Sequence, residues 1–245
     1  MKPVAIFRHT ATEEAGYFAT FLEAHRIPFT LISIDCGDPV PKKADAFSGL
    51  CFMGGPMSVN DPLAWIAEEC ALIHLAIEQD IPVLGHCLGG QLMSKALGGT
   101  ITRNPVKEIG WGRARSENSE VARHWLGSAL DAASGSATLF QWHGETFSLP
   151  QGATRILSND FCANQMFALG PHLGMQCHVE MTPEMIAEWN KSWASEVVDM
   201  PTLPDSVQTV EQIQAQMPAR LAAMRLLADQ LYTVWTSNLS RNEPA

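Results

Sequence analysis

Five residues, Gly85-His86-Cys87-Leu88-Gly89, constrain the fold of this chain more than any other stretch. They follow an apolar run, Ile81-Pro82-Val83-Leu84, and precede Gly90-Gln91-Leu92-Met93-Ser94-Lys95-Ala96-Leu97, which reads as a helix. The order is strand, sharp turn, helix, with a cysteine at the apex: a nucleophile elbow with Cys in place of Ser. Such a turn strains the backbone of its apex residue, and glycine at the flanks lets strand and helix pack closely. The helix start presents free N–H groups and partial positive charge to the sulfur, which favours thiolate. On these residues alone a second reading stands beside the first, because free cysteine commonly packs as a small buried hydrophobe.

A thiol nucleophile needs a base, and the base needs an orienting group. Gly174-Met175-Gln176-Cys177-His178-Val179-Glu180 supplies both. His178 and Glu180 are two apart, so on an extended segment they face the same side. One imidazole nitrogen can then bond Glu180 while the other faces the sulfur. The plainer reading is a strand-end histidine with a solvated glutamate. Trp142-His143-Gly144-Glu145 offers a histidine and a glutamate at the same spacing, so spacing alone leaves His143 as a competing base.

The pattern of elements alternates. Strands are expected near 3–8, 28–34, 45–53 and 81–86, with helices near 13–26, 62–79 and 88–97. Asp61-Pro62 reads as cap and first helical residue of the second of these helices. This β-then-α order implies a parallel sheet with helices on both faces. Short strands follow near 100–102, 109–116, 137–141, 153–158, 163–168 and 173–177, implying a mixed, partly antiparallel edge. A short helix in a loop is expected within 117–136. Thr182-Pro183-Glu184 opens a helix over 182–198, which Met200-Pro201-Thr202-Leu203-Pro204 breaks. Helical spacing returns over 206–236, where Pro218 should kink or split it. Residues 1–200 are read as one domain and 201–245 as a helical extension packed on it, ending in a frayed tail, Ser240–Ala245.

Five ordered blocks make the chain resemble a class I, triad-type glutamine amidotransferase domain. They are Phe52-Met53-Gly54-Gly55-Pro56-Met57-Ser58-Val59, Pro82 to Leu92, Glu108-Ile109-Gly110-Trp111, Trp142 to Pro150, and Gly174 to Glu180. The chain is most similar to stand-alone proteins related to the glutaminase domain of guanosine monophosphate synthetase. The resemblance implies a three-layer, mostly parallel open α/β sheet of flavodoxin-like type flanked by helices. It implies Cys87 as nucleophile, His178 as base and Glu180 as its orienter, and so decides against His143. It also implies an oxyanion hole from the Gly55 and Leu88 N–H groups, with Gln91, Trp142 and Gly144 at the substrate and His143 on a substrate-holding loop. The chain departs from the family at His86, normally apolar, and at Cys177 and Val179, normally Phe and Pro. His86 is read as a satisfied core histidine.

The implied reaction cleaves a γ-glutamyl amide through a γ-glutamyl thioester and passes ammonia to a separate synthetase, since no ATP-binding module follows on the chain. Two alternatives remain: a stand-alone γ-glutamyl hydrolase or peptidase, and a non-enzymatic thiol redox sensor or binding protein. Neither cofactor nor metal is expected, as Cys87, Cys177 and His178 lack ligand-pair spacing.

Composition fits such an enzyme. Sixteen Lys and Arg against 26 Asp and Glu give a net charge of −10, which argues against nucleic-acid and anionic-membrane partners. The longest apolar runs fall short of a membrane span, and the N-terminus reads as the first strand rather than a signal peptide. Six cysteines without a Cys-x-x-Cys pair fit the reducing cytoplasm. The apolar face over 206–236 should dock on this domain or on a second copy, giving a homodimer in the latter case.

Overall fold

The apolar runs that open the chain form a sheet buried on both faces. In the computed structural model, which describes residues 1–200 and 202–239, nine strands make one sheet in the order β2-β1-β3-β4-β9-β8-β7-β5-β6. Strands β1 (Val4–Arg8), β2 (Phe29–Ser33), β3 (Gly49–Phe52), β4 (Val83–His86) and β9 (His172–Met175) run parallel. From β9 outward, β8 (Met166–Leu169), β7 (Thr154–Ser158), β5 (Ile101–Ser116) and β6 (Ser136–Phe147) pair antiparallel. The sheet is thus mixed, half parallel and half antiparallel.

Strand side chains alternate between two cores, as the period of two requires. Val4 and Ile6 join Phe18 and Leu22 of α1 (Gly16–Ala24) and the long last helix. Ala5 and Phe7 join Ile66 and Leu72 of α2 (Ala64–Glu78) and Leu92 of α3 (Leu88–Ala96). The result is three layers, helix on sheet on helix.

Several local expectations change. Helix α2 starts at Ala64 with Leu63 as its cap residue, because Asp61 accepts the Ser58 N–H in the preceding turn instead of capping the helix. The segments near 100–102 and 109–116 are one strand, β5, with a register shift between Arg103 and Glu108. Trp142, His143 and Gly144 lie within strand β6 rather than on a loop; Trp142 and His143 pair with Ile109 and Glu108 of β5, and Gly144 falls at the register shift. The helix in 117–136 is α4 (Glu120–Leu126). The 182–198 helix is two, α5 (Pro183–Ser192) and α6 (Ser195–Val198), because the chain turns at Trp193, whose ring packs on Trp142 and Trp189.

Helix α7 (Val210–Ser237) runs through Pro218 without splitting. Pro218 and Gln214, whose carbonyl loses its partner to the proline, are both exposed, so water can serve that carbonyl. A capping box of Thr209 and Gln212 opens the helix. Its Met224, Leu227, Leu231, Tyr232 and Trp235 are buried in the same core as α1. Pro201 of the expected helix breaker and the tail 240–245 lie outside the described residues.

Candidate active site

The parallel strands end together, and open α/β sheets bind ligands at that carboxyl edge. At the end of β4, Cys87 adopts φ 48° and ψ −103°, a conformation L-residues rarely take and which costs about 1–3 kcal/mol. The elbow is possible because Gly85 and Gly89, two residues to either side of Cys87, lack side chains. A Cβ on Gly89 would lie 2.0 Å from the Phe52 carbonyl oxygen, and one on Gly85 2.4 Å from the Gly89 carbonyl carbon. Cys87 precedes the first turn of α3, so the Leu88 N–H is among the amides that have no partner inside the helix.

His178 follows β9. Its backbone is held by two hydrogen bonds with Phe140 of β6, one in each direction. Its Nδ1 lies 2.6 Å from Glu180 Oε1, and Glu180 Oε2 accepts the Val179 N–H at 2.8 Å. The Trp189 ring stands edge-on to the imidazole at 4.9 Å. Nε2 is buried and has no conventional hydrogen-bond partner among the described residues. The imidazole lies close enough to Cys87 that each side chain shifts the proton affinity of the other.

Electrostatics tie the three together. Burial opposes charge on His178, but the Glu180 carboxylate, and after it Cys87, outweigh this and hold the imidazole well above its ordinary range. Glu180 is pushed down to about 2, where His178 and then His86 overcome the cost of its burial. The Cys87 thiol is raised, not lowered as the helix terminus suggested: burial dominates, and His178 pulls against it. His86 stands behind this pair, with Nε2 3.1 Å from Tyr232 Oη and 3.8 Å from Glu180 Oε2. Burial lowers its pKa to about 4, so it is a neutral core histidine in contact with the orienting carboxylate.

A cleft with a volume of about 230 Å³ lies over Cys87, somewhat below the ~300–1,000 Å³ of drug-sized ligand pockets. Gly55, Leu88, Gln91, Trp142 and Gly144 all line it. Gln91 does not stand free: its Nε2 donates to Gln176 Oε1 at 3.1 Å, and Gln176 Nε2 lies 3.5 Å from the Cys87 sulfur. His143 also reaches the cleft, but its nitrogens are engaged, Nε2 with Glu108 Oε2 at 3.0 Å and Nδ1 with the Glu145 carbonyl at 2.9 Å. It therefore does have an acidic partner, one far away in sequence, and no nitrogen left over for a sulfur. Glu108, His143 and Cys162 place possible ligand atoms within 4.8 Å of one another. Asn159, Gln165 and His143 already surround the Glu108 carboxylate with hydrogen bonds, and burial pushes Cys162 up to about 11, so the trio is a hydrogen-bonded cluster rather than a ready metal site.

Three features of the cleft have no local signal in the sequence. Gln176 touches the sulfur only because β9 lies beside β4. Lys107 and Glu196 pair across the cleft rim from β5 and α6. Glu13, from the loop after β1, is buried, with Oε2 unpartnered. A Cβ on Gly54 would fall 1.7 Å from that oxygen and 3.2 Å from His178 Cε1, so carboxyl and imidazole share one face of Gly54. Burial raises Glu13 to about 7.

Residues 19–188 match the family model described as glutamine amidotransferase class-I. The glutamine amidotransferase-like protein YfeJ of Salmonella typhimurium is 31% identical over 192 residues, 73% of this chain and 75% of that protein. A GMP synthase of Aromatoleum aromaticum is 28% identical across 69% of this chain, which spans only 33% of the synthase. Gamma-glutamyl peptidase 3 of Arabidopsis thaliana is 27% identical, covering 76% of this chain and 80% of the peptidase. The crystal structure of a glutamine amidotransferase from Methylobacillus flagellatus superimposes with a TM-score of 0.94 at 40% identity, covering 100% of this chain and 98% of the other. Among the described residues no helix is long and apolar enough to cross a membrane.

Proposed function

The chain belongs to the class I glutamine amidotransferase family, whose members are cysteine-nucleophile amidotransferases and hydrolases, and from that membership we propose that it cleaves a γ-glutamyl amide through Cys87, His178 and Glu180. The observation that carries this reading is the state of the His178 ring. Nδ1 is fixed by Glu180, while Nε2 is buried and unpartnered on a ring close enough to Cys87 to shift its proton affinity.

In this reading the Cys87 proton passes to His178 Nε2 and the thiolate attacks the γ-carbonyl carbon. The Gly55 and Leu88 N–H groups hold the resulting oxyanion; losing one such donor typically costs about 3 kcal/mol of barrier. His178 gives its proton to the departing nitrogen as the C–N bond breaks, leaving a γ-glutamyl thioester. Water, losing a proton to His178, then releases glutamate and restores the thiol. Trp142 and Gly144 would position the glutamyl part. Gln91 would act through Gln176, which touches the sulfur.

The preferred substrate is glutamine, with ammonia available to a separate synthetase. A second reading, γ-glutamyl hydrolysis with larger leaving amines, is supported by similarity to gamma-glutamyl peptidase 3 along 80% of that protein. The proposed setting is the cytoplasm, supported by six unpaired cysteines. Purified protein incubated with glutamine, glutathione and several γ-glutamyl amines should release one amine preferentially, and Cys87→Ala should release none. Release by the alanine variant at the wild-type rate would overturn the assignment.

A further inference from the structure

The loop after β1 and helix α2 bury a second histidine–glutamate pair that the triad does not use. His9 Nε2 lies 3.0 Å from Glu69 Oε2 and 3.2 Å from Oε1, and both side chains are sealed from solvent. Trp65 stacks on the imidazole at 5.0 Å. The other nitrogen, Nδ1, lies 3.3 Å from the Gly54 carbonyl oxygen. A carbonyl only accepts, so Nδ1 carries a proton. Burial disfavours charge on this ring, yet the Glu69 carboxylate more than offsets it and raises the His9 pKa. A buried ion pair adds little net stability over apolar packing, so stability alone does not account for this one.

The Gly54 carbonyl and the Gly55 N–H belong to one peptide unit. In a trans peptide the two point in opposite directions from a common plane. Anchoring the carbonyl on His9 therefore fixes the direction of the N–H. Gly55 itself is confined between His9 and Leu88: a Cβ there would lie 3.2 Å from His9 Cβ and 2.9 Å from Leu88 Cδ2. Its N–H makes no hydrogen bond to other described residues, and Gly55 lines the cleft together with Cys87 and Leu88.

We propose that His9, held by Glu69, is a positioning residue that orients the Gly54–Gly55 peptide so that the Gly55 N–H is set to receive the oxyanion. This rests on the γ-glutamyl amide reading above. His9 touches neither substrate nor sulfur in this role; it acts through one peptide bond. Its removal should weaken the transition state and leave both ground-state binding and thiol reactivity in place.

The test compares His9→Ala, His9→Asn and Glu69→Gln with the wild type in three measurements. The first is kcat and KM on the substrate the wild type cleaves best. The second is inhibition by glutarate semialdehyde, a γ-aldehyde whose thiohemiacetal oxygen occupies the oxyanion position. The third is alkylation of Cys87 by iodoacetamide, a displacement at saturated carbon that generates no oxyanion. His9→Ala should lose about tenfold to a hundredfold in kcat, less than deletion of a donor itself, with KM within about twofold. Aldehyde affinity should fall in parallel and the alkylation rate should hold. His9→Asn, whose amide can donate from near the Nδ1 position, should recover much of the loss and remains informative if the alanine variant does not fold. Glu69→Gln should fall between the wild type and His9→Ala.

Unchanged kcat in folded His9→Ala and His9→Asn, or alkylation falling as steeply as turnover, overturns the proposal. If the wild type cleaves no γ-glutamyl amide and does not bind the aldehyde, the functional reading itself fails and takes this one with it. A wild type that does both, with variants that match it, sinks the positioning role alone.

Discussion

Tyr232 Oη lies 3.1 Å from His86 Nε2, so the last helix touches the histidine that backs the orienting carboxylate. Both side chains are fully buried. Removing the hydroxyl would leave a buried imidazole nitrogen unpaired, which costs about 1–3 kcal/mol. Tyr232→Phe should therefore lower the unfolding free energy by that amount, read as a lower urea midpoint at unchanged m. Truncation after Pro204 removes the burial of Leu227, Leu231 and Trp235 as well, each worth about 1.5–3 kcal/mol, a loss comparable with a typical domain's margin of about 5–15 kcal/mol. The truncated chain should fail to melt cooperatively. A normal melting temperature at an unchanged number of chains per sedimenting particle would show that α7 contributes nothing to the fold.

The elbow makes a steric prediction. Gly89→Ala drives a methyl group to 2.0 Å from the Phe52 carbonyl, and Gly90→Ala places one 2.3 Å from the Met175 carbonyl. Neither backbone atom can swing aside as a side chain would. Both variants should lose at least about 2–3 kcal/mol of stability or fail to fold, in line with overpacking and backbone displacement. Gly144→Ala meets nothing closer than Lys107 Cε at 3.4 Å, the end of a flexible side chain. Its stability should stay within about 0.5 kcal/mol of the wild type. Equal thermal shifts in the three variants would contradict the packing described here.

The two histidines that sequence spacing left in competition should separate cleanly in kinetics. His178→Ala removes the nitrogen beside Cys87 and should lower kcat by about 10²–10⁴. Glu180→Ala should cost less, because the ring remains. His143→Ala leaves the Glu108 carboxylate buried without its histidine, a loss of several kcal/mol of stability, and should raise KM more than it lowers kcat. A variant set in which His143→Ala abolishes turnover while His178→Ala retains it would reverse the assignment. In the same protein, iodoacetamide should label Cys87 ahead of Cys51, Cys162 and Cys177. These three are more completely buried, and burial raises the proton affinity of each thiol.

Local chemistry was legible in the sequence, and long-range pairing was not. Gly85 to Gly89 announced the elbow because strain and close approach demand specific residues at specific places. The His178–Glu180 contact followed from a spacing of two. The acidic partner of His143 was invisible, since Glu108 reaches it across a β5–β6 pairing 35 residues apart. Pro218 does not split the helix, because a proline on a solvated helix face loses a bond that water replaces. The Cys87 thiol pKa was also misjudged: the helix terminus is a local feature, whereas burial depends on the whole fold. Glu13 carried no motif at all, and it enters the site only because β1 ends beside β3.

Glu13 supplies the last prediction. Burial raises its pKa from an ordinary 4.5 to about 7, with the negative charge of Glu180 adding to the effect and His178 opposing it. Below about pH 4.5 the carboxyl is protonated in both folded and unfolded chains. Between there and about pH 7 the unfolded chain ionises while the folded one retains the proton, so the folded state binds more protons and this residue's contribution to stability falls as pH rises. The loss levels off above about pH 7 and is on the order of 3 kcal/mol. Glu13→Gln cannot ionise, so relative to the wild type it should gain stability from about pH 5 to about pH 7 and hold that gain above it, read from urea unfolding. The same substitution removes a negative charge that raises the Cys87 pKa, so the pH profile of Cys87 alkylation should shift to lower pH. A stability difference independent of pH, together with an unmoved alkylation profile, would show that the Glu13 carboxyl does not titrate beside the triad.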